Sequence, residues 1–277
     1  MMKVERIAAF CDGDRGGNPA GVVLCTSLPD PGEMQTVAAK VGYSETVFAA
    51  PQGDSWRVRY FAPEMEVPFC GHATIALGAL FAARHGGGVH KLHLNEAQIS
   101  VEGFCDANGM GAALQSPPAS SRPVPAELVT EALRLFTYRP DDIDPRLPPA
   151  MANAGNDHLE LALRSRELLS RMTYDLTAGR AFMLGAGITT ISFIFAETPQ
   201  LFHVRNPFAS GGVYEDPATG SAAAALGGYL NDIAWPSGGA IEVLQGEDMG
   251  VPSRIAVGMP HSPERSIRVS GRARFMR

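Results

Sequence analysis

The chain has 277 residues, of which 45% are hydrophobic and 19% are charged, and its formal net charge is −6 at pH 7. This length fits one large domain or two of medium size, with an ordinary apolar fraction for a globular fold. The acidic balance argues against nucleic acid and anionic membranes as partners, which leaves a small molecule as the expected ligand. No signal peptide or membrane-spanning stretch is evident, so a cytoplasmic location is expected.

Short apolar segments separated by Gly, Pro, Asn and Asp predict many strands and few helices in the first half of the chain. One helix is well marked, because Asp30 can cap its start, Pro31 fits its first turn and Gly42 can end it. The predicted strands are 4–10, 22–25, 43–48, 56–61, 91–94, 98–101 and 111–115.

The second half has a looser version of the same plan. Residues 116–125, rich in Pro and Ser, predict an irregular linker and therefore a domain boundary. Domains are predicted over 1–118 and 119–264. Later helices are predicted at 126–136 and 166–176, and later strands at 159–163, 188–195, 241–244, 253–257 and 267–269.

A thirteen-residue segment occurs twice in the chain. Glu66–Gly78 and Glu215–Gly227 align without a gap at an offset of 149, and seven of the thirteen positions are identical. Each copy passes through Pro and Gly into small residues of good helix propensity, which predicts a loop that enters a helix. The free N–H groups and positive dipole at a helix start favour an anion, and Gly71 and Gly220 allow it to approach closely.

Five polar side chains near these segments are candidates for chemistry. Glu45 lies in an apolar strand, where burial would suit it for proton transfer, although an edge strand would leave it in solvent. His72 can either exchange a proton with a substrate or only form hydrogen bonds to the backbone of the loop. Cys70 is either a thiolate favoured by the helix start or a small core residue. Asp216 and Ser221 either contact a ligand or cap a helix.

Several other function classes lack support. No P-loop, dinucleotide fingerprint, zinc-protease motif or α/β-hydrolase elbow is present. His90 and His93 have no further ligands at suitable spacing and are expected in solvent, so no metal and no cofactor are predicted. The four cysteines have no CxxC spacing and are expected to be free thiols, with Cys11, Cys25 and Cys105 in the core.

Four segments together resemble the phenazine-biosynthesis PhzF-like isomerase family, which has the diaminopimelate epimerase-like fold. They are residues 17–23, 43–46, 69–74 and 215–222, supported by Leu-Gln-Gly-Glu at 244–247. The resemblance extends from residue 17 to about 260. It implies an α+β fold of two pseudo-symmetric domains, each a β-barrel around a central helix, with the active site between them. A final strand within 265–277 would return to the first domain, and the protein would be a homodimer.

The resemblance also implies roles for individual residues. Glu45 would be the general acid/base, with His72 and Asp216 as further catalytic residues. The residues expected to bind substrate are Asn18, Gly71, Ala73, Gly220, Ser221 and Ala222.

A comparison of the two copies narrows the expected chemistry. Related racemases and epimerases use two opposed cysteines, but here Cys70 stands at the first helix start and no cysteine follows residue 105. The expected function is therefore a cofactor-independent isomerase that moves a proton on a small carboxylate-bearing substrate, with Glu45 as the base. One alternative is an epimerase or racemase with Cys70 as one base and Glu45 or Asp216 as the other. Another is a non-catalytic binding protein that retains the fold.

Overall fold

The computed structural model describes residues 2–260 and 264–276, and its fold is α+β. The chain divides into two compact units, which are described separately. Unit 1 comprises Met1–Gln115 with Ser270–Arg277, and unit 2 comprises Ser116–Val269. Within the described residues, no helix is both long enough and apolar enough to span a bilayer.

Unit 1 is built on an eight-stranded barrel. The elements are β1 (Glu5–Ala9), β2 (Asn18–Leu24), α1 (Pro31–Val41), β3 (Glu45–Gln52), β4 (Ser55–Phe61), β5 (Glu66–Val67), α2 (Gly71–His85), β6 (Gly88–His93), β7 (Gln98–Asp106), β8 (Gly109–Pro118) and, at the end of the chain, β17 (Ser266–Phe275). The barrel has the strand order β1–β2–β3–β4–β6–β7–β8–β17, and it closes because β17 pairs with both β8 and β1. The β2–β3 and β4–β6 pairs are parallel.

Helix α2 is the core of unit 1. Its residues from His72 to Ala82 are all buried, and it contacts β1, β2, β3 and β7. A helix that is apolar on every side must be enclosed, which explains its place within the barrel. Small residues allow β7 to approach α2 closely. A Cβ added at Gly78 of α2 would lie 2.5 Å from Val101, and one added at Gly103 of β7 would lie 2.4 Å from the Gly78 carbonyl.

Unit 2 repeats this plan. The elements are β9 (Ser120–Pro123), α3 (Ala126–Leu135), β10 (Ala150–Asn153), β11 (Asp157–Ala162), α4 (Arg166–Ser170), α5 (Leu176–Ala186), β12 (Thr190–Ala196), β13 (Leu201–Phe208), β14 (Val213–Asp216), α6 (Gly220–Asp232), β15 (Ala240–Gln245) and β16 (Ser253–Gly258). As in unit 1, two strand pairs are parallel, here β11–β12 and β13–β15. Helix α6 precedes β15 as α2 precedes β6, and its residues from Ala222 to Leu230 are all buried. The predicted pair of pseudo-symmetric barrels around central helices is confirmed.

The predicted start and end of α1 are confirmed. The Asp30 side chain accepts a hydrogen bond from the Gly32 amide at 2.8 Å, and Pro31 begins the helix. Gly42 ends it in the left-handed conformation, with φ of 74°.

Two local predictions are wrong. The segment 116–125 is not irregular, because β8 continues to Pro118 and β9 pairs with β10. The predicted helix 166–176 is two helices, since α4 ends at Ser170 and α5 starts after Asp175, whose side chain caps it by accepting from the Ala178 amide at 2.8 Å.

Strand β17 contributes to both units. Its residues up to Val269 belong to unit 2, and those from Ser270 belong to unit 1, where Ile7 pairs with Phe275. The domain limits given from the sequence, 1–118 with 265–277 and 119–264, stay a prediction. Residues 1, 261–263 and 277 lie outside the described residues.

Candidate active site

In unit 1 the predicted residues gather where β2 and β3 begin and α2 starts. The parallel register sets Ala20 of β2 opposite Glu45, the first residue of β3. Alternate residues of a strand share a face, so Asn18 lies on the same face as Glu45. We call Asn18, Ser44, Glu45, Cys70, Gly71, His72 and Ala73 the unit 1 site.

The His72 ring is the centre of the unit 1 site. Its Nδ1 lies 3.3 Å from the Cys70 Sγ, and its Nε2 lies 3.4 Å from the Ser44 Oγ and 3.3 Å from the Glu45 Oε2. The ring is buried. A thiol, an imidazole and a carboxylate therefore form one contiguous group, with Glu45, Cys70 and His72 ligand atoms all within 4.8 Å of one another.

The Glu45 Oε2 atom is buried but has no hydrogen-bond partner. Its 3.3 Å separation from His72 is within ion-pair distance, although the angles are not those of a hydrogen bond. A hydrogen bond weakens steeply when it is misaligned, so this contact is not a hydrogen bond. The Oε2 atom therefore makes no aligned hydrogen bond within the protein.

The start of α2 leaves its first amides unpaired within the helix. The first intrahelical bond runs from the Thr74 amide to the Cys70 carbonyl at 3.0 Å, and the Cys70 side chain does not cap the helix. The amides of Gly71, His72 and Ala73 therefore have no intrahelical acceptor. A Cβ added at Gly71 would meet no atom within 4 Å, so the space beside these amides is open.

Unit 2 has the same arrangement at α6. The first intrahelical bond runs from the Ala223 amide to the Thr219 carbonyl at 3.0 Å, which leaves the amides of Gly220, Ser221 and Ala222 without an intrahelical acceptor. Thr219 is the residue at the cap position, and its side chain does not cap the helix. Neither Asp216 nor Ser221 occupies that position.

A buried glutamine fixes the loop before α6. The Gln245 amide group donates to the Asp216 carbonyl at 2.6 Å and to the Thr219 hydroxyl at 3.0 Å, and its oxygen accepts from the Thr219 amide at 3.1 Å. The Thr219 hydroxyl then donates to the Asp216 Oδ2 at 2.6 Å. The sequence indicates Gln245 only as part of the Leu-Gln-Gly-Glu motif, because its contacts depend on where β15 lies. The unit 2 site comprises Asp216, Thr219, Gly220, Ser221, Ala222 and Gln245.

The glutamate that opens each repeated segment pairs with an arginine of the preceding strand. Arg59 donates to Glu66 at 2.7 and 2.5 Å, and Arg205 donates to Glu215 at 2.9 and 2.5 Å. The hydrogen bonds to Glu66 lower its pKa, while Arg205 has its own pKa raised by Glu215 against the effect of burial. Only the glutamates belong to the repeated segments, since each arginine lies before its segment and the two arginines are 146 residues apart rather than 149.

The remaining histidine and cysteine expectations are met in part. All four cysteines are free, but Cys105 is exposed and Cys25 is half-buried. His90 is not in solvent, because its ring packs 4.6 Å from that of Phe81 and burial lowers its pKa.

A mixed parallel and antiparallel sheet around a buried helix, a plan that occurs twice in this chain, is the fold of the epimerases and racemases related to diaminopimelate epimerase. The structure of a hydroxyproline epimerase from Agrobacterium vitis with bound trans-4-OH-L-proline has it, with a TM-score of 0.64 at 10% identity over 99% of this chain and 89% of that one. A PhzF-family phenazine biosynthesis protein from Bacillus anthracis is more similar, with a TM-score of 0.87 at 22% identity over 100% and 97%. At these identities the likeness shows the fold alone.

The family is shown by the sequence. The family model PhzC-PhzF, described as phenazine biosynthesis-like protein, matches residues 7–277, and the chain belongs to this family. An uncharacterized isomerase of Deinococcus radiodurans is 31% identical over 266 residues, covering 93% of this chain and 86% of the relative. The uncharacterized isomerase YddE of Escherichia coli K12 is 29% identical over 246 residues, covering 82% and 78%. The chain is an enzyme of the isomerase class.

Proposed function

We propose that this enzyme is a cofactor-independent isomerase that moves a proton on a small carboxylate-bearing substrate, with Glu45 as the general acid/base. The observation that carries the proposal is the unpartnered Glu45 Oε2, buried 3.3 Å from His72. A base held in this way can take a proton without first breaking another hydrogen bond.

The first step would form a carbanion next to the substrate carboxylate. The Glu45 carboxylate takes the proton, and the negative charge spreads into the carboxylate as an enolate. Amides of Gly71 and His72, at the positive end of α2, are oriented to stabilise that charge. The protonated Glu45 then returns the proton to a different carbon, which isomerises the substrate and regenerates the Glu45 carboxylate.

The unit 2 site is assigned a matching role. Its three first-turn amides form a second place for a carboxylate, and the family resemblance implies substrate contact for Asp216 and Ser221. Replacement of Asp216 by asparagine removes the charge and retains the shape of the side chain, so it separates a catalytic role from the structural bond to Thr219.

Replacement of Glu45 by glutamine is the direct test of the base. We expect turnover to fall by about 100-fold or more, because general acid/base groups contribute roughly 10² to 10⁴. Amino acids and hydroxy acids are first screened for deuterium uptake from D₂O, and the variant is then measured on the substrate found. Glu33→Gln, an exposed position on α1, is the control. Glu45→Gln activity within about tenfold of wild type would refute the assignment.

Replacement of Gly71 by alanine tests whether a ligand approaches the start of α2. The added Cβ meets nothing within 4 Å, and alanine favours helix by about 1 kcal/mol, so the fold should be retained. Activity is expected to fall about tenfold or more, since a misplacement of 1 Å can cost 10²-fold. Gly185→Ala is the control, because Gly185 is also helical and without a neighbour within 4 Å, although it is exposed whereas Gly71 is half-buried. Equal activity in the two variants would exclude a ligand at Gly71.

An epimerase or racemase is the second candidate, favoured by the 3.3 Å contact of the Cys70 thiol with His72. In that reaction Cys70 is one base and Glu45 or Asp216 is the other. Deuterium incorporated at a chiral α-carbon, together with inversion, supports this reaction. Unchanged turnover in Cys70→Ala would count against it.

We further propose that the enzyme is a homodimer, as the family resemblance implies, and that it acts in the cytoplasm, as the sequence predicts. Light scattering on the purified protein measures its mass in solution against the 29.4 kDa of one chain. A mass of one chain at working concentration would refute the dimer.

A further inference from the structure

We propose that Glu45, Cys70 and His72 form a binding site for Zn²⁺ and that the bound ion reversibly inhibits the enzyme. Metal binding by these side chains does not depend on the reaction, whereas inhibition rests on the proposed role of Glu45. The site was invisible in the sequence, because its carboxylate comes from β3 and its other two ligands from the start of α2.

The distances between the three side chains suit one shared ion. The Cys70 Sγ lies 3.9 Å from the His72 Nε2, which in turn lies 3.3 Å from the Glu45 Oε2. Tetrahedral zinc with bonds of about 2.0 to 2.3 Å holds neighbouring ligand atoms about 3.3 to 3.6 Å apart. The third separation, from the Cys70 Sγ to the Glu45 Oε2, is within 4.8 Å, so side-chain rotations that shorten it by about 1 Å bring the three atoms onto one ion.

The donor set selects the metal. A thiolate, an imidazole and a carboxylate together suit a borderline ion such as Zn²⁺, whereas Mg²⁺ and Ca²⁺ require oxygen ligands. Three protein ligands leave a fourth position on the ion for water. Among residues 2–260 and 264–276, this is the one group of three or more acidic, His and Cys residues with ligand atoms so close together.

Zinc and catalysis compete for the same atom. Binding removes the proton from the Cys70 thiol and releases it to solvent, while the Glu45 Oε2 lone pair forms a bond to the ion. That oxygen then cannot accept a proton from a substrate. Removal of zinc by a chelator restores the carboxylate, so the inhibition is reversible.

Competition with a chromophoric chelator tests zinc binding on tag-free protein without substrate. One Zn²⁺ per chain is expected. Loss of a second-shell partner alone weakens metal sites by 10- to 100-fold, so Cys70→Ala and His72→Ala should each weaken binding by at least about tenfold. Cys105→Ala removes an exposed thiol elsewhere and should bind as wild type does. Equal affinity in wild type and Cys70→Ala would overturn the proposal.

Cobalt gives a readout that misfolding of a variant cannot imitate. Co²⁺ added to wild type is expected to produce a near-ultraviolet thiolate-to-metal band that is missing in Cys70→Ser, with both proteins checked by thermal unfolding. A band that persists in a folded Cys70→Ser protein would exclude Cys70 as a ligand.

Measurements of turnover in the presence of zinc distinguish failure of the metal-site proposal from failure of the proposed role of Glu45. Zn²⁺ should inhibit wild type and Cys105→Ala equally, and EDTA should restore both. Zinc that binds without inhibiting overturns the inhibition and points away from Glu45 as the base. A failure to bind zinc overturns the metal site and leaves the role of Glu45 intact.

Discussion

Replacement of Glu215 by alanine is expected to lower the free energy of unfolding by about 3 to 5 kcal/mol, because it leaves a buried arginine without the carboxylate that is hydrogen-bonded to it. The Arg205 and Glu215 side chains are only 9% and 3% exposed. Without Glu215, the guanidinium retains hydrogen bonds to the Ser170 and Met172 carbonyls and a 4.0 Å contact with Asp248, which compensates its charge only in part. Urea unfolding followed by circular dichroism measures the change.

The repeat supplies a matched control in unit 1. Arg59 and Glu66 form the same pair, but their side chains are 18% and 26% exposed. Water can replace part of that interaction, so Glu66→Ala is expected to cost about 1 kcal/mol or less. Equal losses in the two variants would show that burial does not decide the strength of these pairs. Because Glu215 precedes Asp216, the same variant should also lower activity.

Replacement of Glu160 by glutamine is expected to stabilise the protein increasingly as the pH rises, by roughly 3 to 5 kcal/mol at pH 8 and above. Glu160 is buried in unit 2, and both its oxygens lack a hydrogen-bond partner although Ser192 lies opposite on β12. Burial raises its pKa from 4.5 to about 8. The unfolded chain therefore ionises first, and the native state loses stability between pH 4.5 and 8.

His158 has the opposite effect on the free energy of unfolding, which it lowers on the acid side of the pH range. Burial lowers its pKa from 6.5 to about 4, so the unfolded chain binds a proton first as the pH falls through this range. The native state consequently loses stability below pH 6.5. Unfolding free energies from pH 4 to 9 should show Glu160→Gln flattening the alkaline limb and His158→Gln the acid limb. A Glu160→Gln profile parallel to wild type would contradict the assignment.

Local signals and the repeat predicted much of the architecture. Asp30 and Gly42 mark α1 because capping depends on adjacent residues. The repeated loops predicted two equivalent helix starts, since Pro, Gly and small residues act within one or two turns. Local signals could not predict the geometry of the unit 1 site, because the approach of Glu45 to His72 depends on the register of β2 and β3 and on the place of α2 in the barrel.

The buried acid and histidine of β11 show why other features could not be predicted. In Asp-His-Leu-Glu-Leu-Ala, the alternation of Leu159 and Leu161 with polar residues is typical of a strand with one face in water. Here Leu159 and Leu161 join the main core cluster of unit 2, while α6 contacts the same strand. Glu160 is enclosed as a result. Only the three-dimensional packing distinguishes this strand from a half-exposed one.

Strand β17 makes the order of synthesis matter for folding. Unit 1 begins near the N-terminus, yet its barrel closes only when residues 270–275 reach β1 and β8. On the ribosome, unit 1 therefore keeps two unpaired strand edges until residues 270–275 emerge, although the residues of unit 2 have been synthesised before then. Such late, long-range pairing slows folding and exposes edges that can aggregate. A nascent chain stalled before residue 270 would thus depend on chaperones more than its size suggests.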